Sequence, residues 1–354
     1  MKLLLGTSKG LLVYEKRQHS WHCAPICFLG MPVSMIYANS YSDTWFAGLP
    51  HRHWGQKLHR SNDFGKTWQP ISAPKYPVEA LLQNGKPASL KAIWCMEQIG
   101  ADQYLMGTEP GGLFYGTQKG DFQLVKSLWQ HPTRAQMWFG AGKDEPFIHS
   151  IVVHPQDKQH IYVAVSCGGV FETKNGGATW EARNVGLKAT YLPNPTAEAG
   201  HDPHLLLLCK SNPTVLWQQN HCGVYRSTDG GLFWEDVSDV EQGIYYGFAL
   251  AIDHENPLRA WVIPAVSDEV RVAHNLSLSV RRTEDGGKTW TTLQKGLPQK
   301  NCFDIVFRHA FDRCGQTLVF GTTTGHVFIS ENDGDDWKLL ANYLPKIDCL
   351  KLLP

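Results

Sequence analysis

The sequence predicts an all-β fold, a seven-bladed β-propeller of four-stranded antiparallel blades, its ring closed by the C-terminal strand completing the N-terminal blade. Three observations predict it. A turn motif of eight residues recurs along the chain, short alternating strands precede each copy, and the two ends carry complementary strand remnants.

The motif is spelled "SNDFGKTW" at residues 61–68 and returns as "TKNGGATW" (173–180), "STDGGLFW" (227–234), "TEDGGKTW" (283–290) and a worn "SENDGDDW" (330–337). Its terminal tryptophans, Trp68, Trp180, Trp234, Trp290 and Trp337, leave a first gap about twice as wide as the others, so one degenerate unit must lie inside it. "GGLFYGTQKGDF" (111–122) fits, with Phe122 in the tryptophan place, and "GLLVYEKRQHSW" (10–21) supplies another. Seven units result.

Before each motif the text alternates as strands do. "SIVVHP", "HIYVAVS" and "GVFETK" precede one copy; "HLLLLCK", "VLWQQNH" and "GVYRST" precede the next; "FDIVFRH", "TLVFGTT" and "HVFISEN" precede the last. Each unit is therefore three strands, a turn, and a fourth strand opening on Trp. The first unit lacks an innermost strand, because "KLLLGTS" aligns with the second strands, while "IDCLKLLP" at the C-terminus is surplus. Pairing the two closes the ring and removes an open edge.

In the turn itself, Asp63 offers a short polar side chain to turn amides, and Gly65 can adopt positive φ without a Cβ clash. The following tryptophan packs at the blade edge with its indole N–H seeking a partner. With S-x-D-x-G-x-T-W copies ending at Trp68, Trp180, Trp234 and Trp290, the chain resembles the Asp-box (BNR-repeat) propellers. More narrowly, "NHCGVYRSTDGG" and "GTSKGLLVY" are similar to bacterial BNR-repeat proteins labelled glycosyl hydrolase-like or exo-sialidase-like. The resemblance implies the fold over nearly the whole chain. It does not choose a function, since sialidases, sortilin-type receptors and photosystem assembly factors share the box.

Length alone, 354 residues, would suggest two domains; a propeller accommodates residues 1–354 as one. Equal numbers of basic and acidic residues, 33 of each, give no bulk attraction to nucleic acid or to an anionic membrane, and neither is expected as a partner. "MKLLLGTSKG" is too short in apolar residues for a secretory segment, and the nine cysteines lack CxxC spacing. A cytoplasmic protein with reduced thiols is expected.

Strand order places the motif turns on one face. The turns between second and third strands, and the blade-to-blade crossovers, open on the other, where the chemistry collects: "PHRHWGQ" (His51, Arg52, His53, Trp54), "TEPGG" (Glu109), "SCGG" (Cys167), "NHCG" (Asn220, His221), the crossovers with Arg134, Trp138, Glu145, His149, Asp202 and His204, and the blade-six insertion with Asp268 and Arg271. The expected ligand-binding residues are His51, His53, Trp54, Arg134, Trp138, His149, His204, Asn220, His221 and Arg271. Candidate catalytic residues are Glu109, Arg134, Glu145, Asp202 and Tyr246, the carboxylates for acid–base work and Arg134 to clamp an anion or to pin its crossover. No motif requires a cofactor. His149, Cys167, His204 and His221, on two neighbouring blades, form a candidate divalent-metal set.

Two functions follow. One is a glycoside hydrolase-like or lyase-like enzyme acting on a small anionic or glycan-like substrate. A true sialidase is disfavoured: Arg52, Arg134 and Arg271 could supply an arginine clamp, and Tyr245 or Tyr246 beside Glu241 a nucleophile, but the F-R-I-P-like motif is absent. The other is a non-catalytic ligand- or protein-binding or assembly propeller, with Trp54, Trp138, Tyr245 and Tyr246 as contact residues for a glycan or a protein partner.

Overall fold

In the computed structural model, which describes residues 1–18, 20–51, 53–140 and 142–354, the chain forms seven four-stranded sheets. All are antiparallel. The second blade pairs Met35–Tyr37, Thr44–His51, Gly55–Asn62 and Gln69–Ile71 in chain order, and the next five repeat that order. Ile347–Leu353 pairs with Lys2–Thr7 in register from Lys2 opposite Leu353 to Thr7 opposite Ile347, so the last strand is the innermost strand of the first blade. Both sheet edges that an open chain would expose are thereby paired.

Alternation along the strands places apolar residues on both faces of each blade, and the core lies in the wedges between blades. Trp261, Val280, Leu318, Phe320, Leu3 and Leu350, from three successive blades, belong to one such cluster. Burying each side chain contributes about 1.5–3 kcal/mol. The motif tryptophans fasten neighbouring wedges: Trp234 Nε1 donates to Arg183 O at 2.8 Å and Trp290 Nε1 to Val237 O at 3.0 Å, both acceptors on the preceding blade's outer edge.

Five motif turns share one hydrogen-bond pattern. Gly65 N donates to Ser61 Oγ at 2.9 Å, and Gly177, Gly231, Gly287 and Gly334 do the same to Thr173, Ser227, Thr283 and Ser330 at 2.8–2.9 Å. Gly65 has φ +79°, and a Cβ there would come within 2.7 Å of the Trp45 ring, so both conformation and space require glycine.

The structure departs from expectation at two places that matter for the site. The crossover through "HPTRAQMWF" holds short helices, Lys126–Trp129 and Pro132–Met137. Pro132 sits at a first helical position, where its missing N–H costs nothing, and His131 Nδ1 accepts from Thr133 N to cap the turn. In the last blade, "FDIVFRH" is not a strand. The innermost strand is Phe311–Cys314, and residues 303–310 run irregularly toward the axis. No described helix is long and apolar enough to cross a membrane.

Candidate active site at the channel mouth

Five innermost strands carry a β-bulge near their first turn of pairing, at Trp94, His149, His204, Phe248 and Asp348. A bulge frees one residue from the ladder and re-aims its side chain. Trp94, His204, Phe248 and Asp348 accordingly line a cavity of about 630 Å³ at the mouth, on the face opposite the motif turns, while His149 lines the channel below. In the last blade the irregular lead-in takes the place of the bulge, and Arg308 and His309 line both cavity and channel.

Asp202 is the most heavily engaged acid of the cavity. Its Oδ1 accepts from Ser166 Oγ at 2.7 Å and from Cys167 N at 3.1 Å; its Oδ2 lies 3.3 Å from His204 Nε2 and 3.5 Å from His221 Nδ1. Burial alone would raise its carboxyl, but the histidines and the Ser166 hydroxyl hold it well below the usual range. His204 Nδ1 donates to Gly247 O at 2.6 Å, and its ring stacks on Phe248 at 4.7 Å.

Glu109, at the end of its blade's second strand, is buried among Trp94, whose indole N–H reaches Oε2 at 3.4 Å, and Lys143, whose Nζ lies 3.9 Å away. Burial pushes Glu109 above the ordinary glutamate range, and Lys143 and the indole only partly offset it. Tyr246 lies in the same wall, edge-on to His204 and His221, its hydroxyl pushed upward by burial.

Arg308 supplies the charge of the cavity floor. The residue is only 9% exposed, and Nη1 has no hydrogen-bond partner among the described residues. Its guanidinium lies 5.4 Å from the Trp94 ring centroid, 5.1 Å from Phe147 and 5.8 Å from Phe248. Burial draws its pKa down to about 10, with Asp202 the strongest charge opposing that shift. A second guanidinium, Arg271 on the blade-six insertion, overhangs the mouth, exposed and 5.6 Å from the Phe248 ring, with its Nε donating to Asp268 O.

Of the residues expected from sequence, the cavity collects Glu109, Asp202, His204, His221, Tyr246 and Arg271. Others lie elsewhere. Arg134 stacks on Trp129 at 3.4 Å and donates to Leu81 O, pinning the crossover to the preceding segment. Trp138 is buried against Phe171 with its indole on Thr133, and Glu145 does not line the cavity. His51 Nδ1 accepts from His53 N and Trp54 N and so folds its own turn, leaving the Trp54 ring exposed. Asn220 pairs with Gln218 and Cys222 N.

Within the four-residue metal set the ligand atoms divide. His149 has both nitrogens engaged, Nε2 on Pro203 O at 2.7 Å and Nδ1 on Ser150 Oγ at 2.9 Å, and Cys167, whose backbone N–H donates to Asp202, has its thiol pushed upward by burial, away from the thiolate a metal would need. The ligand atoms that gather within 4.8 Å are those of Asp202, His204 and His221. Arg52 lies outside the described residues. Arg308, Trp94 and Phe248 are absent from the sequence-predicted set. For Arg308 a signal existed, a charge inside the apolar run "IVFRHAF".

No protein-family model matches the chain. A xyloglucanase of a Paenibacillus species is 26% identical over 192 residues, which is 48% of this chain and 16% of that enzyme. An ancestral GH74 enzyme superposes with a TM-score of 0.61 at 15% identity, over 95% of this chain and 39% of that one. The chain is a seven-bladed propeller with GH74 neighbours and a xyloglucanase homologue. It spans well under half the length of either enzyme. A candidate 6-phosphogluconolactonase of Bacteroides fragilis also superposes at 0.61, with 12% identity over 99% of this chain and 97% of that one. YCF48 from Cyanidioschyzon merolae does so at 0.54, with 15% identity over 92% and 87%. At these identities the structural likenesses establish the fold and nothing finer.

Proposed function

We propose that the chain is a glycosidase-like enzyme that cleaves a small, acidic, glycan-like substrate held at the channel mouth. The observation that carries this reading is Arg308. A buried guanidinium with an unpaired Nη1, on a residue that lines the cavity, is costly unless a ligand completes it, and a carboxylate is the partner its fork geometry fits. Arg271 at the rim would close on the same anion, and Trp94, partly exposed in the cavity wall, offers apolar surface to a sugar ring.

Glu109 is placed for the proton-donor role, because burial keeps its carboxyl protonated to higher pH than an exposed glutamate. Asp202 with His204 and His221 forms the wall that would receive a proton or orient a water. The xyloglucanase relative supports a glycan as the substrate class, and the buried arginine argues for an acidic one. A binding role for the same mouth is the second reading, favoured by the exposed ring of Trp54 on that face.

The test is turnover of aryl glycosides with and without a carboxylate on the sugar. Cleavage is expected of the uronic-acid substrates, and Glu109→Gln should lower kcat by about 10²–10⁴-fold with KM little changed. Binding of a sugar acid without turnover by the wild-type protein would replace the enzyme reading with the binding one.

A further inference from the structure

We infer that Asp202, His204 and His221 form a binding site for one divalent transition-metal ion, with an open coordination position facing the cavity. His204 Nδ1 lies 2.6 Å from the Gly247 carbonyl oxygen, so that nitrogen carries a proton and Nε2 is the nitrogen left to bind a metal once it gives up any proton of its own. Nε2 lies 3.3 Å from a carboxylate oxygen, Asp202 Oδ2. His221 Nδ1 lies 3.5 Å from the same oxygen. Two imidazole nitrogens converging on one carboxylate oxygen need either a proton on each nitrogen or a metal ion between the three atoms. Protons would satisfy the two contacts one at a time; a metal ion draws all three ligand atoms together, as their mutual spacing within 4.8 Å allows.

The spacing agrees with that assignment. Zinc bound to nitrogen and oxygen at about 2.0–2.2 Å in tetrahedral geometry puts its ligand atoms about 3.4 Å apart. The two contacts to Asp202 match that edge, and all three atoms lie within 4.8 Å.

The surroundings are those of a metal site as well. Ligating histidines usually give their other N–H to a carbonyl or carboxylate, which fixes the tautomer and the ring plane. His204 does so to Gly247 O, and His221 Nε2 lies 3.8 Å from Asp268 Oδ2. The second oxygen of Asp202 is held by the Ser166 hydroxyl and the Cys167 amide, so the carboxylate cannot swing away. Two histidines and one carboxylate, with the remaining positions open to a cavity, suit zinc or another first-row divalent ion.

The inference goes beyond the hydrolase reading and is tested without substrate. The full chain is stripped with a chelator and equilibrated with Zn²⁺, then with Co²⁺, whose visible spectrum reports its ligands. About one ion per chain is expected in the wild type, with affinity lost at least about 100-fold in Asp202→Asn and His221→Ala and weakened about 10–100-fold in Asp268→Asn. His221 is partly exposed, so its variant keeps the test open if Asp202→Asn fails to fold. Cys167→Ser should bind as the wild type does. No bound ion in the wild type, undiminished binding in folded His221→Ala, or loss of binding in Cys167→Ser would each overturn this ligand set. Stoichiometric zinc with no glycoside turnover would sink the hydrolase reading and leave the metal site standing.

Discussion

The two rims of the ring are built from the ends of the same strands and work in opposite ways. On the motif rim the turn carboxylates and amides are satisfied within a few residues of themselves: Asp63 accepts from Lys66 N at 3.0 Å and Thr67 N at 2.9 Å, and the pattern recurs around the ring. At the channel mouth the contacts join distant segments, Asp202 to Ser166 and His204 to Gly247, and the second recurs from His149 to Pro203 in the neighbouring blade but not around the whole ring. Repetition marks what every blade needs in order to fold. The mouth is where charged side chains line a cavity, and one of them, Arg308, has a buried nitrogen with no partner among the described residues.

The sharpest way to break this comparison is at Arg308. Arg308→Met should weaken binding of a sugar acid about 10–100-fold, the value of a lost charge-assisted hydrogen bond, while raising unfolding free energy by about 1–3 kcal/mol because an unsatisfied buried group no longer has to be desolvated. Titration calorimetry and chemical denaturation on one preparation read both. A loss of stability would mean that the guanidinium is structural.

A smaller and opposite split is expected on the motif rim. Asp63→Ala should cost about 1–2 kcal/mol by removing hydrogen bonds to the turn, with ligand binding unchanged. The Thr67 hydroxyl and amide hold Asp63 down at about 2, so its contribution is present above the ordinary aspartate range and is lost as pH falls through about 2. Acid unfolding curves of wild type and variant should therefore converge at low pH. Parallel curves would show that Asp63 gains nothing from its charge.

The smallest effect concerns Glu109 and stability rather than turnover. Its folded-state pKa is raised, so the folded chain holds a proton that the unfolded chain has released, and stability declines as pH rises from the ordinary glutamate value through the raised one. Glu109→Gln should abolish that decline. The measurement is the difference in unfolding free energy between the two proteins across pH, and a difference that changes in the other direction would contradict the burial of this carboxyl.

Much of the ring was legible in the residues because each blade repeats the same local solution. A glycine in left-handed geometry, an oxygen two to four residues from the amides it serves, and a tryptophan at the edge are short-range devices, so Ser61–Trp68 can be recognised without knowing what surrounds it. The site was legible only in part. Asp202, His204 and His221 stood out by residue type, and Glu109 and Arg271 by rim placement, but Arg134 and Trp138 carried the same signals and proved to fasten a crossover. Residue type cannot tell a cavity-facing arginine from one lying flat on Trp129.

By itself, then, the sequence determined the blade count, the closure of the ring by Ile347–Leu353 against Lys2–Thr7, and the face on which unrepeated polar residues gather. Only the tertiary structure decided which of them meet. Bulges at Trp94, His204, Phe248 and Asp348 turned side chains from separate blades toward one axis, and the irregular lead-in to Phe311–Cys314 put Arg308 beneath them. A bulge is a one-residue shift in pairing between strands, and pairing is a property of two segments, so neither segment's spelling contains it.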